Sequence, residues 1–383
     1  MTDDPYRGTA PSPGPRRRRW MLPTAIAGGV AVVVAAAVAI AFAVRPGADV
    51  AAPSASPKPT VAPSTSSSPT PPAAPTPRIR IDCEKILDHA SLEAYLGGAP
   101  KLERDAPDSL LRVRWLQSGG LGCRWSSGAA SLRVTAIPLD AIPAATQYLR
   151  DDYDDPSSPV SAPDAPRVDC DDFGGGCQAR AASDRVAIVV RDVDGSAERR
   201  DEFAAIATQA ASAIAGTVSI AAPWSAPYPS SVVLPSECTD IDPDGVIARS
   251  LGIDRLTWFA TGGDGYGLLE NATVWQGPWL FCGSESIAGG ASPLISSLPL
   301  SRWSWDRLAG RLAADGAERI DVAGAEGALL AASPAQNGDG SLSLSLLRGD
   351  AVIQFSTYHP SDPDAARREL VSAVEAWLAR YGG

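Results

Sequence analysis

Cysteine is the residue type in this chain that points most directly to a specific chemistry. Six cysteines are present and all of them follow residue 82, at Cys83, Cys123, Cys170, Cys177, Cys238 and Cys282. An even number of cysteines is typical of disulfide bonds formed in an oxidising compartment. A zinc site would need closely spaced ligand pairs such as C-x-x-C, and none occurs here. We therefore expect a disulfide framework and no metal ligands among these residues.

The sequence has few residues that could perform acid–base chemistry near neutral pH. The only histidines are His89 and His359, and we expect each to have a structural or solvent-exposed role. The motifs of serine hydrolases, zinc proteases and P-loop enzymes are all absent. The sequence therefore predicts no catalytic residue, no cofactor site and no enzyme activity.

An aspartate-rich string resembles half of a calcium-binding loop. Asp240, Asp242 and Asp244 have the spacing of the first ligands and are followed by glycine. The last position of that loop needs a bidentate acid, but Leu251 occupies it here. We expect a turn whose aspartates cap the following helix rather than a calcium site.

Two acidic runs and a group of aromatic residues leave alternatives open. The runs Asp151–Asp155 and Asp169–Asp172 are interpreted as solvated loops, although a pair of carboxylates across a cleft could serve glycoside hydrolysis. Four tryptophans are concentrated in the C-terminal part and could form either core or a binding surface: Trp275, Trp279, Trp303 and Trp305.

The cysteines also mark an internal repeat. The segment headed by Cys83 aligns without a gap with the segment headed by Cys238, and both read as a helix ended by glycine. Further along, Trp115 and Trp275 are each predicted to begin a short strand before the next cysteine. Two copies at 80–219 and 220–383 would account for the chain after a linker, and each is long enough to bury a core.

Equivalent copies should form equivalent disulfide bonds. The repeat therefore predicts the pairs Cys83–Cys123 and Cys238–Cys282. The remaining pair, Cys170–Cys177, would close on itself across a glycine-rich loop. No bond is expected between the two copies.

Hydrophobic periodicity predicts an α+β fold, with two tandem copies of a helix-flanked, mostly antiparallel sheet. Strands follow one another at hairpin-like spacing, and each copy ends in an amphipathic helix. The buried face of the first closing helix is predicted to include Phe203 and Ile206, and that of the second Leu370 and Trp377. In the second copy we expect a helix at Ile241–Leu251, strands near Leu256, Ala272, Leu280, Leu329, Ser343 and Val352, and a helix at Trp303–Ala314.

The N-terminal part predicts a membrane anchor. Residues 21–44 carry no charge and are long enough for a transmembrane helix. The arginines of Arg16–Arg19 place the tail at 1–20 in the cytoplasm and the C-terminal copies outside. The alternative is a cleaved secretory signal, since Ala41–Ala43 has the small-x-small form of a cleavage site. Residues 45–79, rich in Pro, Ser, Thr and Ala, are predicted to be a disordered linker.

The arrangement of motifs resembles actinobacterial cell-envelope domains of unknown function, and the extracellular sensor domain of mycobacterial transmembrane Ser/Thr kinases. The resemblance rests on a cysteine-headed helix, a second cysteine on a later strand, and glycine-rich turns at Phe173–Cys177 and Gly324–Ala328. Many members carry a lipoprotein cysteine that is missing here, and no kinase domain precedes the predicted membrane segment. The resemblance implies an exterior binding module without known catalysis and supplies no active-site residues.

The sequence thus predicts a single-pass protein of the plasma membrane that binds or senses something outside the cell. A cell-wall component, a small ligand or an envelope protein would be its partner. Nucleic acid is excluded because the net charge is −11 and nucleic-acid binding normally needs a basic patch. Alternatives are an envelope scaffold or assembly protein and a carboxylate-dependent hydrolase.

Overall fold

The computed structural model describes residues 74–383 apart from short gaps at 151–156, 172–175, 218, 228, 262–267, 276–278, 287–292, 337–338, 359–361 and 382–383. The described residues belong to one compact unit. The predicted membrane segment at 21–44 and most of the predicted linker lie outside them. Within the described ranges, no helix is both long enough and apolar enough to cross a membrane.

The first half runs from residue 74 to the end of its closing helix. Its helices and strands are, in chain order, α1 (His89–Leu96), β1 (Lys101–Arg104), α2 (Leu110–Gln117), β2 (Leu121–Ser127), β3 (Ala130–Pro138), β4 (Arg167–Asp171), β5 (Gly176–Ala182), β6 (Val186–Asp192) and α3 (Arg200–Ala215). Short 3-10 helices occur at Cys83–Lys85, Pro143–Leu149 and Ala197–Arg199.

The second half has a closely similar order of elements. They are α4 (Val246–Ser250), β7 (Leu256–Ala260), α5 (Leu268–Trp275), β8 (Leu280–Ser286), β9 (Leu294–Leu298), α6 (Trp305–Ala314), β10 (Glu318–Arg319), β11 (Gly327–Gln336), β12 (Asp339–Arg348), β13 (Ala351–Tyr358) and α7 (Pro363–Tyr381). Here 3-10 helices occur at Cys238–Asp240 and Arg302–Ser304.

Each half contains one antiparallel sheet, and the two sheets have the same strand order. The first sheet is ordered β1-β2-β3-β6-β5-β4, and the second is β7-β8-β9-β13-β12-β11 with β10 added at the edge. All strand pairs in both sheets are antiparallel. The predicted α+β class, with antiparallel sheets flanked by helices, is confirmed.

The closing helix of each half covers one face of its sheet. In the first half α3 packs on β5 and β6, and its Phe203 and Ile206 are buried as predicted. In the second half α7 packs on β12 and β13, and Leu370 and Trp377 are buried there. The buried Trp377 has a hydrogen-bond partner in the core, since its Nε1 donates to the Ile241 carbonyl at 3.1 Å.

The chain enters the first half earlier than residue 80. Ile79 is buried and forms an isolated antiparallel bridge with Ile220. Arg78 is also buried, and its guanidinium makes two hydrogen bonds to the Asp140 carboxylate at 3.0 and 2.7 Å. The last residues assigned to the linker are therefore part of the packed structure.

Two helices cross between the halves. Leu110 and Val113 of α2 pack in a cluster with Leu298 and Val352 of the second sheet. Reciprocally, Leu269 and Ala272 of α5 pack with residues of the first sheet, among them Ile137 and Ala187. The sheet face not covered by α3 or α7 is thus partly buried by a helix from the other half.

These crossing helices correct two predicted strands. Trp115 lies in α2 and Ala272 lies in α5, as does the backbone of Trp275. Aromatic and branched residues favoured strands there. The Ser109 side chain, however, accepts from the Arg112 amide at 3.3 Å and caps a helix whose apolar residues meet both halves. The helix predicted at Ile241–Leu251 is also shorter, covering only Val246–Ser250.

Candidate functional site

A cavity of about 700 Å³ lies beside the Cys83–Cys123 disulfide bond and is called the first cavity. Its apolar lining includes the buried side chains of Ile79, Leu116 and Leu121. Trp303 of the second half also lines it. The volume falls in the range of sites that bind small molecules.

The rim of the first cavity carries more positive than negative charge. Four cations line it, Arg80, Lys85, Arg104 and Arg307, against the carboxylates of Asp82 and Asp105. Lys85 pairs with Asp82 at 3.1 Å, and Arg104 pairs with Glu84 at 2.9 Å. The side chains of Arg80 and Arg307 make no hydrogen bond or ion pair with a described residue. An acidic group on a ligand would find two unpaired guanidinium groups there.

A second cavity of about 410 Å³ occupies the equivalent place in the other half, beside Cys238–Cys282. The local backbone is the same in both. The Asp105 amide donates to the carbonyl of Gly122, the residue before Cys123, and the Thr261 amide donates to Phe281, the residue before Cys282. The second cavity is lined mainly by apolar and aromatic residues, and Glu237 is the one charged residue among the described residues that line it.

Asp105 connects the first cavity with a charged network beneath it. Its two carboxylate oxygens face Arg112 at 3.5 Å and Arg133 at 3.3 Å. Burial raises the pKa of Asp105, and Arg133 opposes that shift. Gly122 makes room for the carboxylate, since a Cβ atom at that position would overlap Asp105.

The same network joins the two halves. Glu270 of α5 is only 4% exposed, and its Oε1 lies 3.2 Å from both Arg112 and Arg133. Burial raises the pKa of Glu270, and the charge of Arg133 opposes this. Arg114 donates to the Thr273 carbonyl at 3.4 Å, and burial lowers the pKa of its guanidinium to about 10. Charged groups buried this deeply need such partners.

No protein-family profile, characterised protein or solved structure compared with the chain matches it. The interpretation of these sites therefore rests on their geometry and chemistry.

All six cysteines are placed as disulfide bonds. The pairs are Cys83–Cys123, Cys170–Cys177 and Cys238–Cys282. The two long pairs are those that the repeat predicted, and Cys170–Cys177 is the pair that was expected to remain. The two long bonds tie the first turn of each half to the second strand of its sheet, and Cys83 and Cys238 line the first and second cavities.

Of the two histidines, the structure describes only His89. His89 is exposed at the start of α1, with its Nδ1 3.6 Å from the Glu93 carboxylate. His359 lies outside the described residues.

The aspartate string caps a helix, as we expected. The Asp242 carboxylate accepts from the amides of Ile247 and Ala248, both at 3.0 Å. Asp244 pairs instead with Arg380 of the closing helix. Among the described residues, no three His, Cys, Asp or Glu side chains are grouped so that they could hold a metal ion.

The described residues of the acidic runs and of the four tryptophans lie in different places and do not form one site. Residues 151–155 lie outside the described residues, as does Asp172. Asp169 pairs with Arg167 and Arg180. Trp279 is buried, and its Nε1 donates to the Ser296 hydroxyl at 2.6 Å. Trp303 is the one member of that group that lines the first cavity.

Sequence reasoning did not single out Asp105, Arg112, Arg133 or Glu270. The two arginines of α2, Arg112 and Arg114, alternate with apolar residues, which is unusual for a solvated helix. That pattern signals buried arginines, but it does not identify the carboxylate that meets them, because Glu270 lies 158 residues from Arg112.

Proposed function

We propose that this chain is a membrane-anchored, extracytoplasmic binding or sensing protein of the bacterial cell envelope, and that it is not an enzyme. Its two halves are copies of one α+β module. The N-terminal tail lies in the cytoplasm, and residues 21–44 form the membrane anchor. The observation that carries the proposal is the pair of cavities at equivalent positions beside equivalent disulfide bonds.

The chemistry of the first cavity indicates the class of ligand. Its apolar lining favours an apolar group, and the free guanidinium groups of Arg80 and Arg307 favour an acidic one. Trp303 and Trp258, which line the first and second cavities, each have a buried Nε1 without a partner among the described residues. A ligand acceptor would remove the cost of such an atom. An amphipathic acidic fragment of the cell wall has these properties.

The disulfide bonds support the location. Three bonds in a chain without free cysteine among the described residues are typical of an oxidising, extracytoplasmic compartment. Protease added to intact cells should remove the C-terminal halves and spare a tag at the N-terminus. Protection of the C-terminal halves would contradict the orientation.

A carboxylate-dependent hydrolase would use Asp82 and Asp105, the two acids of the first cavity. The contacts of Asp105 favour binding over catalysis, because both of its oxygens already face arginines. An envelope scaffold without a small ligand would leave the cavities without a role.

Binding to soluble peptidoglycan fragments tests the proposal. We expect the purified full chain to bind at least one fragment, with binding weakened about tenfold or more in the double variant Arg80→Glu/Arg307→Glu, because a bond to a charged group contributes about 1.5 kcal/mol or more. Titration calorimetry and analysis of the recovered fragments would be the readouts.

The matched control is the double variant Arg319→Glu/Arg368→Glu, which makes the same charge change at exposed positions away from both cavities. It should bind like the natural chain. Equal loss in both variants would show a general charge effect, and shortened fragments after incubation would favour the hydrolase instead.

A further inference from the structure

Three arginines stand side by side across the first sheet and are called the arginine ladder. Arg124 of β2 pairs in register with Arg133 of β3, which pairs with Arg191 of β6. Neighbouring strands are about 4.8 Å apart, so the ladder spans roughly 10 Å. Like charges directly opposite each other destabilise a sheet. Such a row therefore needs negative charge nearby.

The negative charge that the protein supplies to the ladder is concentrated at Arg133. Arg133 contacts both Asp105 and Glu270, at 3.3 and 3.2 Å. Arg124 and Arg191 make no hydrogen bond or ion pair with a described residue, although the charge of Arg191 acts on Glu270 from a distance and opposes the rise in its pKa. Two of the three guanidinium groups are thus left without a direct partner.

The neighbouring acids do not make up this deficit. Glu103 is next to Arg124 in register, but its carboxylate is bonded to Lys101 at 3.1 Å. Asp169, at the far end of the same row, pairs with Arg167 and Arg180.

The ladder lines a cavity of about 260 Å³, called the arginine cavity. Arg112 also lines it, so four arginines face two carboxylates, Asp105 and Glu270, which leaves a surplus of two positive charges. Further polar side chains line the same space, namely Ser131, Thr135 and Gln178. This combination of arginine forks, hydroxyls and an amide suits an oxyanion.

The second sheet shows that the fold does not need arginine in these places. The equivalent positions, counted from the half-cystine in the second strand of each sheet, are Gly283, Leu294 and Ser356, which pair with each other in the same way. A sheet of the same strand order therefore forms with small or neutral residues there. The arginines of the first sheet call for another explanation than folding.

We propose that the arginine cavity binds a small oxyanion with two or more negative charges, either a phosphate compound or a polycarboxylate. Arg124 and Arg191 bind it from opposite sides, and the hydroxyl of Ser131 donates to it, whereas the Thr135 hydroxyl already donates to the Val189 carbonyl. The site is separate from the first and second cavities, since no arginine of the ladder lines either of them. The two proposals can therefore fail independently.

Thermal unfolding and titration calorimetry of the purified full chain test the site, with pyrophosphate and citrate as the two probes. Either probe should raise the Tm in a saturable way, while sodium chloride at the same ionic strength should not. The choice between the probes distinguishes phosphate from carboxylate chemistry. In the double variant Arg124→Gln/Arg191→Gln the affinity should fall about a hundredfold, or about tenfold for each arginine.

The same double variant has a second signature. Without any probe its Tm should equal or exceed that of the natural chain, because the repulsion along the ladder is relieved. If it fails to fold, the single variants Arg124→Gln and Arg191→Gln replace it, each with about tenfold weaker binding. The control Arg319→Gln removes an exposed arginine from the second half and should keep the full response.

Two results would overturn the proposal. One is an equal rise in Tm for the natural chain and the double variant, which is the general effect of excluded salts on folded proteins. The other is no saturable response to either probe.

Discussion

On the face that meets the other half, each sheet presents an apolar pair from two neighbouring strands. The pair is Ile137 with Ala187 in the first sheet and Leu298 with Val352 in the second. Each pair is buried under a helix that comes from the other half. Four residues away along the same strands the two sheets differ completely.

At that point the first sheet has Arg133 opposite Arg191, and the second has Leu294 opposite Ser356. The apolar positions keep their character because packing between the halves requires it. Arg133 instead contacts Glu270 of the same covering helix, so a polar contact replaces the apolar one at that position. One architecture, used twice in the chain, is thus held by its cystines and apolar contacts, while the polar positions of its sheets differ in charge.

The largest expected effect concerns the long disulfide bond that each half contains. Replacing Cys83 and Cys123 by Ala should lower the free energy of unfolding by about 4 kcal/mol at most, because the bond closes a long loop in the unfolded chain. Replacing Cys238 and Cys282 should cost nearly the same, since the sequence separations are 40 and 44. Denaturant unfolding measures both.

The short bond serves as the internal control for that experiment. Cys170 and Cys177 are separated by 7 residues, and their replacement by Ala should cost less, about 2.5 kcal/mol by the same loop-closure relation. A large loss confined to one of the two long bonds would break the equivalence of the halves.

The next effect concerns the helices that cross between the halves. Leu269→Ala in α5 and Leu110→Ala in α2 should each lower the free energy of unfolding by about 2–4 kcal/mol, since both side chains are buried. Urea unfolding followed by circular dichroism is the measurement. Val233→Ala, at a side chain that is 78% exposed, is the control. If either buried variant behaves like the control, the reciprocal packing is wrong.

A smaller effect concerns the contact between α5 and the arginine ladder. Glu270→Gln leaves Arg112 and Arg133 with less negative charge and should cost about 1–3 kcal/mol at neutral pH. Glu318→Gln removes the partner of Arg367 in an exposed pair of the second half and should cost less than about 1 kcal/mol. Equal losses would contradict the burial of the network.

The smallest effect concerns the hydrogen bonds between Asp350 and Ser231, which lies before the first helix of the second half. Burial raises the pKa of Asp350, but hydrogen bonds from Ser231 and from the Leu300 amide outweigh it and leave the pKa below its ordinary value. The stability from this carboxylate is therefore present above about pH 4 and is lost as the pH falls through the lowered pKa.

Asp350→Asn should accordingly cost about 1 kcal/mol at pH 7. The difference from the natural chain should shrink as the pH falls below 3.8, the ordinary pKa of the group. Urea unfolding at several pH values measures this, with the exposed Asp364→Asn as control. A difference that grows toward low pH would contradict the sign. In the first half a different contact has this role: Arg78, which lies before the first helix, forms an ion pair with Asp140.

The amino-acid sequence alone determined much of this architecture. Regular spacing of apolar residues predicted the buried faces of the closing helices, because that pattern is local and survives in any context. The repeated cysteines predicted which half-cystines pair. The aspartate string was recognised as a capped turn because Leu251 stands where a calcium loop needs an acid.

Only the tertiary structure decided the rest. The segments around Trp115 and Ala272 read as strands and form helices, because each is buried between the halves and local propensity gives way to that packing. The meeting of Arg112 and Arg133 with Glu270, and the alignment of the arginine ladder, depend on which strands and helices become neighbours. Long-range pairing leaves no local pattern in a single sequence, so these sites became visible only once both halves were folded together.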